Sequence, residues 1–508
     1  MIAAGKRASV GSYYGAGVLI GSCLYLCANL FTLRGTPFLL GGDQALFWMN
    51  AQRLLHGELI YRDFLEFTPP GTDLIYLGAF ELLGSRIWVP NVVVLVLGVI
   101  LCWLSFRIAR LIMKPPHAAL ASALLLVPDY GKMLNGTHHW FSVLAVMGAL
   151  ATVLQARTPP RIVMAGILLG VATFCTQTRG PSAAVGIGAY LIWERFQTQQ
   201  SWSTCLKHEL LLFLPLVVTW GTLSGYFIAK LGFGQLWYFQ VTYVLHYVTT
   251  GPNDLSIGSS EVLAWLKRPT GMLFLLVFLT LPVVYALSVW KCRQRLRVRG
   301  SGDAALVDAQ RVMLLAFVGA AMYLEVAQSP NWIRLYCVAT PGIILLVWLL
   351  TNAVTDTLRG YATTVLLTGL ICIAAHQTWS RQVQQTMIED LPAGRIATAA
   401  STGEKLAWLA RHTTPGQLLF EARWVDLYLP LALRNPVFTD MLEGGHNSRP
   451  EFVDFSLRQL EAKPVQYIIW APRLESPAYP FAKFREFLTE RYQRVWTFPD
   501  QDEVWQRK

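Results

Sequence analysis

Long apolar runs separated by short polar segments extend over the first three quarters of this 508-residue chain. A run of about 20 apolar residues is long enough to cross the roughly 30 Å hydrocarbon core of a bilayer as an α-helix. The runs predict eleven transmembrane helices, near residues 13–33, 87–112, 117–130, 138–155, 161–177, 181–196, 209–231, 270–290, 308–327, 332–351 and 359–379. The third, fifth and sixth runs are short, as broken or re-entrant helices are. The pattern therefore predicts an α-helical polytopic membrane protein.

Composition and charge support this fold class and give it an orientation. Hydrophobic residues make up 54% of the chain and charged residues 14%, a balance typical of membrane proteins. Lys6 and Arg7 precede the first span, and residues 291–300 carry five basic residues and no acidic one. Because short cytoplasmic loops retain Lys and Arg, we expect a cytoplasmic N-terminus. With eleven spans, the 34–86 loop and the C-terminus then lie outside.

The pattern changes near residue 380, which predicts a boundary between a transmembrane domain (1–379) and a small extracytoplasmic α/β domain (380–508). Residues 401–420 predict a helix, a Pro-Gly turn and a strand. Two further strands are predicted at 465–470 and 492–498. From Arg381 onward there are 16 basic and 16 acidic residues, so the net charge of +11 lies in the membrane part. We attribute that charge to topology and predict no nucleic-acid partner.

Two further features limit the chemistry. The eight cysteines include no CxxC pair, which predicts ordinary buried thiols and no structural metal site. Residues 232–269 form a second outer loop, in which aromatic side chains predict a helix lying at the membrane interface. These aromatic residues are Trp237, Tyr238, Phe239, Tyr243 and Tyr247.

The first outer loop, 34–86, predicts two interfacial helices. Asp43 follows two glycines and opens an amphipathic pattern that closes at Gly57, which predicts a helix with Asp43 as its N-cap. A second helix is predicted from Thr68, with Pro69 at its first position, to Gly84. The connection between them carries further carboxylates, which the two helices would hold at the depth of the lipid headgroups.

The residues of this loop resemble those of a known family. Asp43, Gly57, Tyr61-Arg62-Asp63-Phe64 and Pro69-Pro70-Gly71 are similar to motifs of the membrane glycosyltransferases of the C-type superfold (GT-C), especially the bacterial mannosyltransferase and aminoarabinose-transferase-like branch. The resemblance covers the architecture of the whole chain and the motifs of residues 41–84. The family commonly has two adjacent acids at the start of this loop, whereas this chain has Asp43-Gln44. Asp63 or Asp129 is then a candidate for the second carboxylate.

The resemblance implies a sugar donor linked to polyprenyl phosphate and an acceptor hydroxyl on a glycan, a lipid or a protein. It also implies an outer active site in a bacterial inner membrane, with membrane lipid as a partner. A carboxylate takes the acceptor proton, and basic groups stabilise the departing phosphate. No nucleotide cofactor is expected, in keeping with the absence of a Walker loop or a G-x-G-x-x-G fingerprint. The resemblance leaves open whether a divalent metal assists.

Nine residues are predicted to form the site. Asp43 is the expected general base and Asp63 its catalytic partner; the alternative for Asp43 is a helix cap alone, and for Asp63 and Glu66 a solvated turn. The predicted substrate-binding residues are Tyr61, Arg62, Glu66, His138, His139, Arg179 and Arg334. For Arg179 the alternative is an arginine snorkelling to lipid headgroups. Arg334 falls just inside a span, where an unpaired charge is costly.

Three other functions remain open from the sequence. A polymerase or ligase of lipid-linked glycans would share the lipid phosphate, although such proteins usually have their large loop later in the chain. A transporter would carry charged or broken helices near mid-membrane, often in repeated halves, and no repeat is present here. A non-catalytic assembly subunit would tolerate Asp43→Asn.

Overall fold

The computed structural model describes residues 2–248, 267–297, 303–328, 330–442, 449–474 and 481–508. Helices form a bundle that carries a small α/β domain at its C-terminal end. The helices of the bundle are α1 (Ile2–Leu30), α2 (Asp43–Leu55), α3 (Gly71–Leu83), α4 (Trp88–Ala109), α5 (Pro115–Leu124), α6 (His138–Gln155), α7 (Pro159–Cys175), α8 (Arg179–Thr198), α9 (Trp202–Leu231), α10 (Phe233–Trp237), α11 (Pro269–Arg297), α12 (Asp303–Val326), α13 (Trp332–Val338), α14 (Thr340–Asn352) and α15 (Asp356–Gln384). The predicted polytopic helical fold is confirmed.

Every predicted span corresponds to a helical element, but they do not all have the length of a full crossing. Among the described residues, six helices are long and apolar enough to span a membrane: α4, α9, α11, α12, α15 and residues 12–30 of α1. A bent pair, α13 and α14, meets at 59° and makes a seventh if it counts as one span. The expected number of eleven full spans is therefore too high by this criterion. The shorter elements include α5, which continues as a π-helical turn (Leu125–Tyr130) containing Pro128.

Close helix contacts in the bundle depend on small residues. A Cβ added at Gly170 of α7 would lie 2.6 Å from Thr219 Cβ of α9, and one at Gly186 of α8 would lie 2.7 Å from Val318 Cα of α12. Without a hydrophobic driving force between helices in lipid, such close backbone approach is a main source of packing energy. Glycine at these positions therefore allows the helices that follow the first loop to pack tightly.

The first loop folds into α2 and α3, as predicted, with shifted boundaries. Helix α2 ends at Leu55, and Gly57 follows in the left-handed region with φ 82°, the conformation expected just beyond a helix end. Helix α3 begins at Gly71 with Pro70 as its N-cap, so the predicted start at Thr68 is wrong. Packing requires glycine at this first position, because a Cβ at Gly71 would lie 2.5 Å from the Phe174 carbonyl oxygen at the end of α7.

The C-terminal domain begins with a hairpin of β1 (Met387–Leu391) and β2 (Gly394–Thr398), followed by α16 (Ala400–His412). The other elements are β3 (Phe420–Glu421), α17 (Tyr428–Leu431), α18 (Pro450–Ala462), β4 (Tyr467–Trp470), α19 (Ala482–Arg491), β5 (Tyr492–Thr497) and β6 (Glu503–Arg507). Four strands form one sheet in the order β3-β4-β6-β5, with β3 parallel to β4 and the other pairs antiparallel. The predicted helix and strands lie where expected, whereas α15 continues past the predicted boundary at residue 379.

The aromatic segment after α9 packs inside the protein. Helix α10 leads into π-helical turns at Tyr238–Thr242 and Val244–Val248. The ring of Phe239 stacks on Tyr61 of the first loop at 5.5 Å and lies 6.4 Å from Phe438 of the C-terminal domain. Buried Phe239 therefore joins three segments, which differs from the predicted interfacial helix. The rest of that predicted loop (249–266) and the side chain of Tyr247 lie outside the described residues.

Candidate active site

The start of α2 brings the predicted base and the C-terminal domain together. Gly42 occupies the N-cap position with φ 78° and ψ −155°, a conformation essentially limited to glycine. Its backbone N–H donates to Asp426 Oδ1 at 3.2 Å. Asp43 is the first helical residue, so its predicted role as the N-cap is wrong. The cap side chain comes instead from a residue far along the chain.

The Asp43 carboxyl group remains open. Its side chain is reached by solvent and, among the described residues, makes no hydrogen bond or ion pair with another residue. Desolvation by the surrounding protein nevertheless raises the pKa of Asp43 above the usual carboxyl range. A carboxylate with a raised pKa and free oxygens has the properties that a general base needs.

Gln44, at the position of the family's second acid, has a structural role. Its buried side chain accepts a hydrogen bond from the Gly136 N–H at 3.0 Å and donates to the Gly41 carbonyl at 3.2 Å. The Tyr76 hydroxyl donates to the Gly136 carbonyl at 2.9 Å. The amide therefore fixes the loop before α6 against the start of α2. An ionised acid has no donor and could not make the hydrogen bond to the Gly41 carbonyl.

That loop leads directly to the predicted histidine pair. The rings of His138 and His139 lie 3.9 Å apart, and His138 lies 5.9 Å from Phe47, one turn along α2 from Asp43. His138 Nδ1 is 2.9 Å from the Thr176 hydroxyl at the end of α7. The two imidazoles are thus held beside the N-terminal half of α2.

Two arginines complete a basic cluster around this pair. Arg179 is only 1% exposed, and its Nη1 lies 2.6 Å from Glu325 Oε2. A buried, paired guanidinium does not snorkel to headgroups. Arg334 lies half-buried in the first turn of α13, and the charges of both arginines act on both histidine rings. Four of the predicted residues, His138, His139, Arg179 and Arg334, therefore lie together.

The Tyr61-Arg62-Asp63 motif lies at the other end of α2. Helix α2 has 13 residues, so its ends are roughly 18 Å apart at 1.5 Å per residue. Asp63 Oδ2 accepts the Leu59 N–H at 2.7 Å and pairs with Arg62. The hydrogen bond from Arg62 lowers the pKa of Asp63. Asp63 is therefore too far from Asp43 to act as its second carboxylate.

Tyr61 is buried and conformationally strained. Its φ of 68° is rare for a bulky residue. The hydroxyl donates to the Thr68 carbonyl at 2.5 Å and accepts from Gln240 Nε2 at 3.0 Å. With Phe239 stacked on its ring, Tyr61 links the first loop to the segment after α10 and is not open to a ligand.

Glu66 belongs to a buried polar group beneath α2. Its Oε1 accepts the backbone N–H groups of Phe67 and Thr68, each at 2.8 Å. Asn50 Nδ2 donates to Glu66 and to Asp73, both at 3.1 Å. These bonds join α2, the connection and α3, so Glu66 holds the loop together.

Asp129, the other candidate for a second carboxylate, is buried in the bundle. Among the described residues, neither of its oxygens has a hydrogen-bond partner. It lines an apolar cavity of about 310 Å³ between α5, α11 and the α13–α14 pair. Asp426 is the acid that approaches Asp43, and the sequence carries no local signal for this because the two residues are nearly 400 positions apart. No group of three or more His, Cys, Asp or Glu side chains within the described ranges could hold a metal ion.

Comparison with known proteins agrees with this architecture. Residues 68–224 match the model of the family described as dolichyl-phosphate-mannose-protein mannosyltransferase. ArnT from Cupriavidus metallidurans, solved with bound undecaprenyl phosphate, superposes with a TM-score of 0.61 and 14% identity over 97% of both chains. The chain has the GT-C glycosyltransferase fold. The apo form of that ArnT gives the same TM-score at 13% identity over 98% of both chains.

A more distant GT-C structure also aligns. The apo oligosaccharyltransferase of Archaeoglobus fulgidus has a TM-score of 0.50 and 12% identity, covering 98% of this chain and 74% of that one. A search of curated proteins finds no match. The predicted GT-C fold is confirmed by these structures, and the family match over residues 68–224 supports the predicted glycosyltransferase class.

Proposed function

We propose that this GT-C glycosyltransferase transfers a sugar from a polyprenyl-phosphate donor to an acceptor hydroxyl at the extracytoplasmic face. The observation that carries the proposal is the open Asp43 carboxyl group at the start of α2, next to a loop that delivers two histidines into a basic cluster. The ligand of the Cupriavidus metallidurans relative is an undecaprenyl phosphate, and the proposal extends this carrier class to the present chain.

The proposed reaction is a single displacement at the anomeric carbon. The acceptor oxygen forms a bond to that carbon, its proton moves to the Asp43 carboxylate, and the bond from the anomeric carbon to the phosphate oxygen breaks. The polyprenyl phosphate leaves as an anion and needs no strong acid. General-base catalysis of this kind contributes about 100- to 10,000-fold in rate.

The basic cluster is proposed to bind the phosphate of the donor. Arg179 has Nε without a partner among the described residues, and its guanidinium is held rigidly by Glu325. A planar guanidinium can give two parallel hydrogen bonds to phosphate oxygens. Arg334 and the two histidines supply further donors close by. The cluster would therefore stabilise charge on the leaving group.

Reconstitution tests this function directly. Purified protein in proteoliposomes is incubated with radiolabelled polyprenyl-phosphate sugars and with glycan, lipid or peptide acceptors. We expect label to move to one acceptor class and polyprenyl phosphate to accumulate in equal amount. Asp390→Asn, which changes an exposed ion pair with Arg395, is the control that should retain activity. Absence of transfer from every lipid-linked donor, in protein that is folded, would overturn the proposal.

A further inference from the structure

The start of α2 is bound by the C-terminal domain at one residue, Asp426. Its Oδ1 accepts the Gly42 N–H at 3.2 Å, and a Cβ at Gly41 would lie 3.3 Å from its Oδ2. The loop that carries Asp426 lies between β3 and α17, which packs on α2. Asp426 therefore approaches the backbone of both glycines that precede Asp43.

This contact supplies what the local sequence lacks. The first N–H groups of a helix have no partner within the helix, and an N-cap side chain normally satisfies one of them. Gly42 has no side chain and no cap bond of its own. A carboxylate at this end also interacts favourably with the positive end of the helix dipole. Asp426 takes the place of the missing cap, and glycine leaves the space for it.

We propose that Asp426 is a positioning residue of this enzyme: by capping α2 from the C-terminal domain, it fixes the geometry of Asp43. The inference rests on the proposed function, in which Asp43 is the base. It gives the C-terminal domain a direct part in the active site, since without its contact the first turn of α2 has no side-chain cap.

The charges around Asp426 support this coupling. Asp43 faces it from α2, Glu421 from β3 and Lys405 from α16. Lys405 in turn pairs with Asp500 and Asp502, each at 2.5 Å. Burial and the charge of Asp43 raise the pKa of Asp426 to about 6, while the Gly42 N–H and Lys405 oppose the rise. The charge of Asp43 therefore favours the protonated form of Asp426 as the pH falls.

Two substitutions separate the cap from the charge. Asp426→Asn keeps an oxygen that can accept the Gly42 N–H and removes the negative charge. We expect this variant to retain the wild-type kcat and the acid limb of the kcat/KM profile, because the oxygen that accepts the Gly42 N–H remains. Asp426→Ala removes the cap, and we expect kcat to fall about ten- to hundredfold at every pH, with KM for the donor within about twofold.

The control is Asp440→Asn, which changes another C-terminal carboxylate that contacts α2 near its opposite end. Asp440 pairs with Arg53 at 2.9 Å, so this variant disturbs domain docking without touching Gly42. We expect its kcat to stay near the wild-type value. A wild-type kcat in Asp426→Ala, or equal losses in Asp426→Ala and Asp426→Asn, would overturn the proposal. If Asp426→Ala does not fold, Asp426→Leu, which has a similar shape and no acceptor, takes its place.

Hydrogen exchange distinguishes failure of this inference from failure of the proposed function. We expect the backbone amides of residues 42–45 to exchange at least about tenfold faster in Asp426→Ala than in wild type, because the capping bond no longer protects the first turn. Asp440→Asn should not show this change. If Asp43→Asn remains active but residues 42–45 exchange faster in Asp426→Ala than in wild type, the cap is correct and the assignment of Asp43 as the base is wrong. Unchanged exchange refutes the cap itself.

Discussion

The two ends of α2 hold similar residues in opposite states. At its start, Asp43 is open to solvent, and its carboxyl group makes no hydrogen bond or ion pair with another described residue. Near its end, Arg53 donates to Glu58 at 2.7 Å, to Asp440 and the Val437 carbonyl at 2.9 Å, and to the Asp63 carbonyl at 3.0 Å. The Asp43 carboxyl group is therefore accessible, whereas the Arg53 guanidinium is engaged in ion pairs and hydrogen bonds that hold the structure together.

This difference separates residues proposed to take part in catalysis from residues that stabilise the structure. Carboxylates engaged in several hydrogen bonds stay ionised and immobile, whereas a desolvated carboxyl group without partners has a raised pKa and can exchange a proton. Asp63 shares the motif region with Asp43 but belongs to the first kind, and Glu66 is held by hydrogen bonds that oppose the rise in its pKa caused by burial. We therefore propose that the chemistry lies at the start of α2, whereas the C-terminal domain docks near its end.

The largest effect that tests this comparison is a pair of isosteric substitutions. Asp43→Asn should lower the transfer rate by about 100- to 10,000-fold, because the amide cannot accept the acceptor proton. Asp63→Asn should lower it by less than about tenfold, since that carboxylate holds a turn. Steady-state transfer assays at saturating donor measure both. Similar losses of transfer rate in the two variants would contradict the assignment of different roles to the two ends of α2.

An intermediate effect is expected at the other end of the helix. Arg53→Met removes the hydrogen bonds of the guanidinium to Glu58, Asp440 and two carbonyls, and breaking a buried ion pair typically costs about 3–5 kcal/mol. The Arg53 side chain is only 6% exposed. Thermal unfolding in detergent should show a clear loss of stability. The activity per folded molecule should change far less than in Asp43→Asn.

The smallest effect is expected at Asp73. Its Oδ1 accepts from Asn50, its Oδ2 has no partner among the described residues, and burial together with the charge of Glu66 raises its pKa well above the usual range. Because Glu66 receives several hydrogen bonds, the proton resides on Asp73. Asp73→Asn should therefore change the free energy of unfolding by less than about 1 kcal/mol below about pH 4, where the carboxyl group is protonated in both the folded and the unfolded state.

The pH dependence of that variant provides the check. A group with a raised pKa binds its proton more tightly in the folded state, so its contribution to stability is lost as pH rises from the unfolded pKa of about 4 toward the folded value. Wild type should lose stability over this window relative to Asp73→Asn, and thermal unfolding across the pH range measures it. A wild type that gains stability relative to the variant as pH rises would place the proton elsewhere.

Sequence periodicity predicts much of this fold because it reports local burial. The apolar runs locate the helices, and Gly57 marks the end of α2 since a left-handed residue there favours glycine. The runs do not give the number of full spans, because some of them form shorter helices such as Pro159–Cys175. Helix α3 begins at Gly71, later than predicted, and no local pattern records the contact of Gly71 with Phe174.

The site was predictable only in part, for the same reason. Asp43, the histidine pair and the two arginines were found from motif and position. The roles of Tyr61, Asp63 and Glu66 depend on which partners reach them, and Asp426 approaches Asp43 only in the folded chain. Asp63 and Glu66 lie near Asp43 in sequence and are also acids. The acid that approaches Asp43 in the fold is Asp426, which belongs to the C-terminal domain.

The most direct test of the central claim is a single-turnover measurement on Asp43→Asn with a radiolabelled polyprenyl-phosphate sugar already bound. We expect the variant to bind this donor with wild-type affinity and its first transfer to the acceptor to be at least about 100-fold slower than in wild type. A first turnover at the wild-type rate would contradict the assignment of Asp43 as the base at the start of α2.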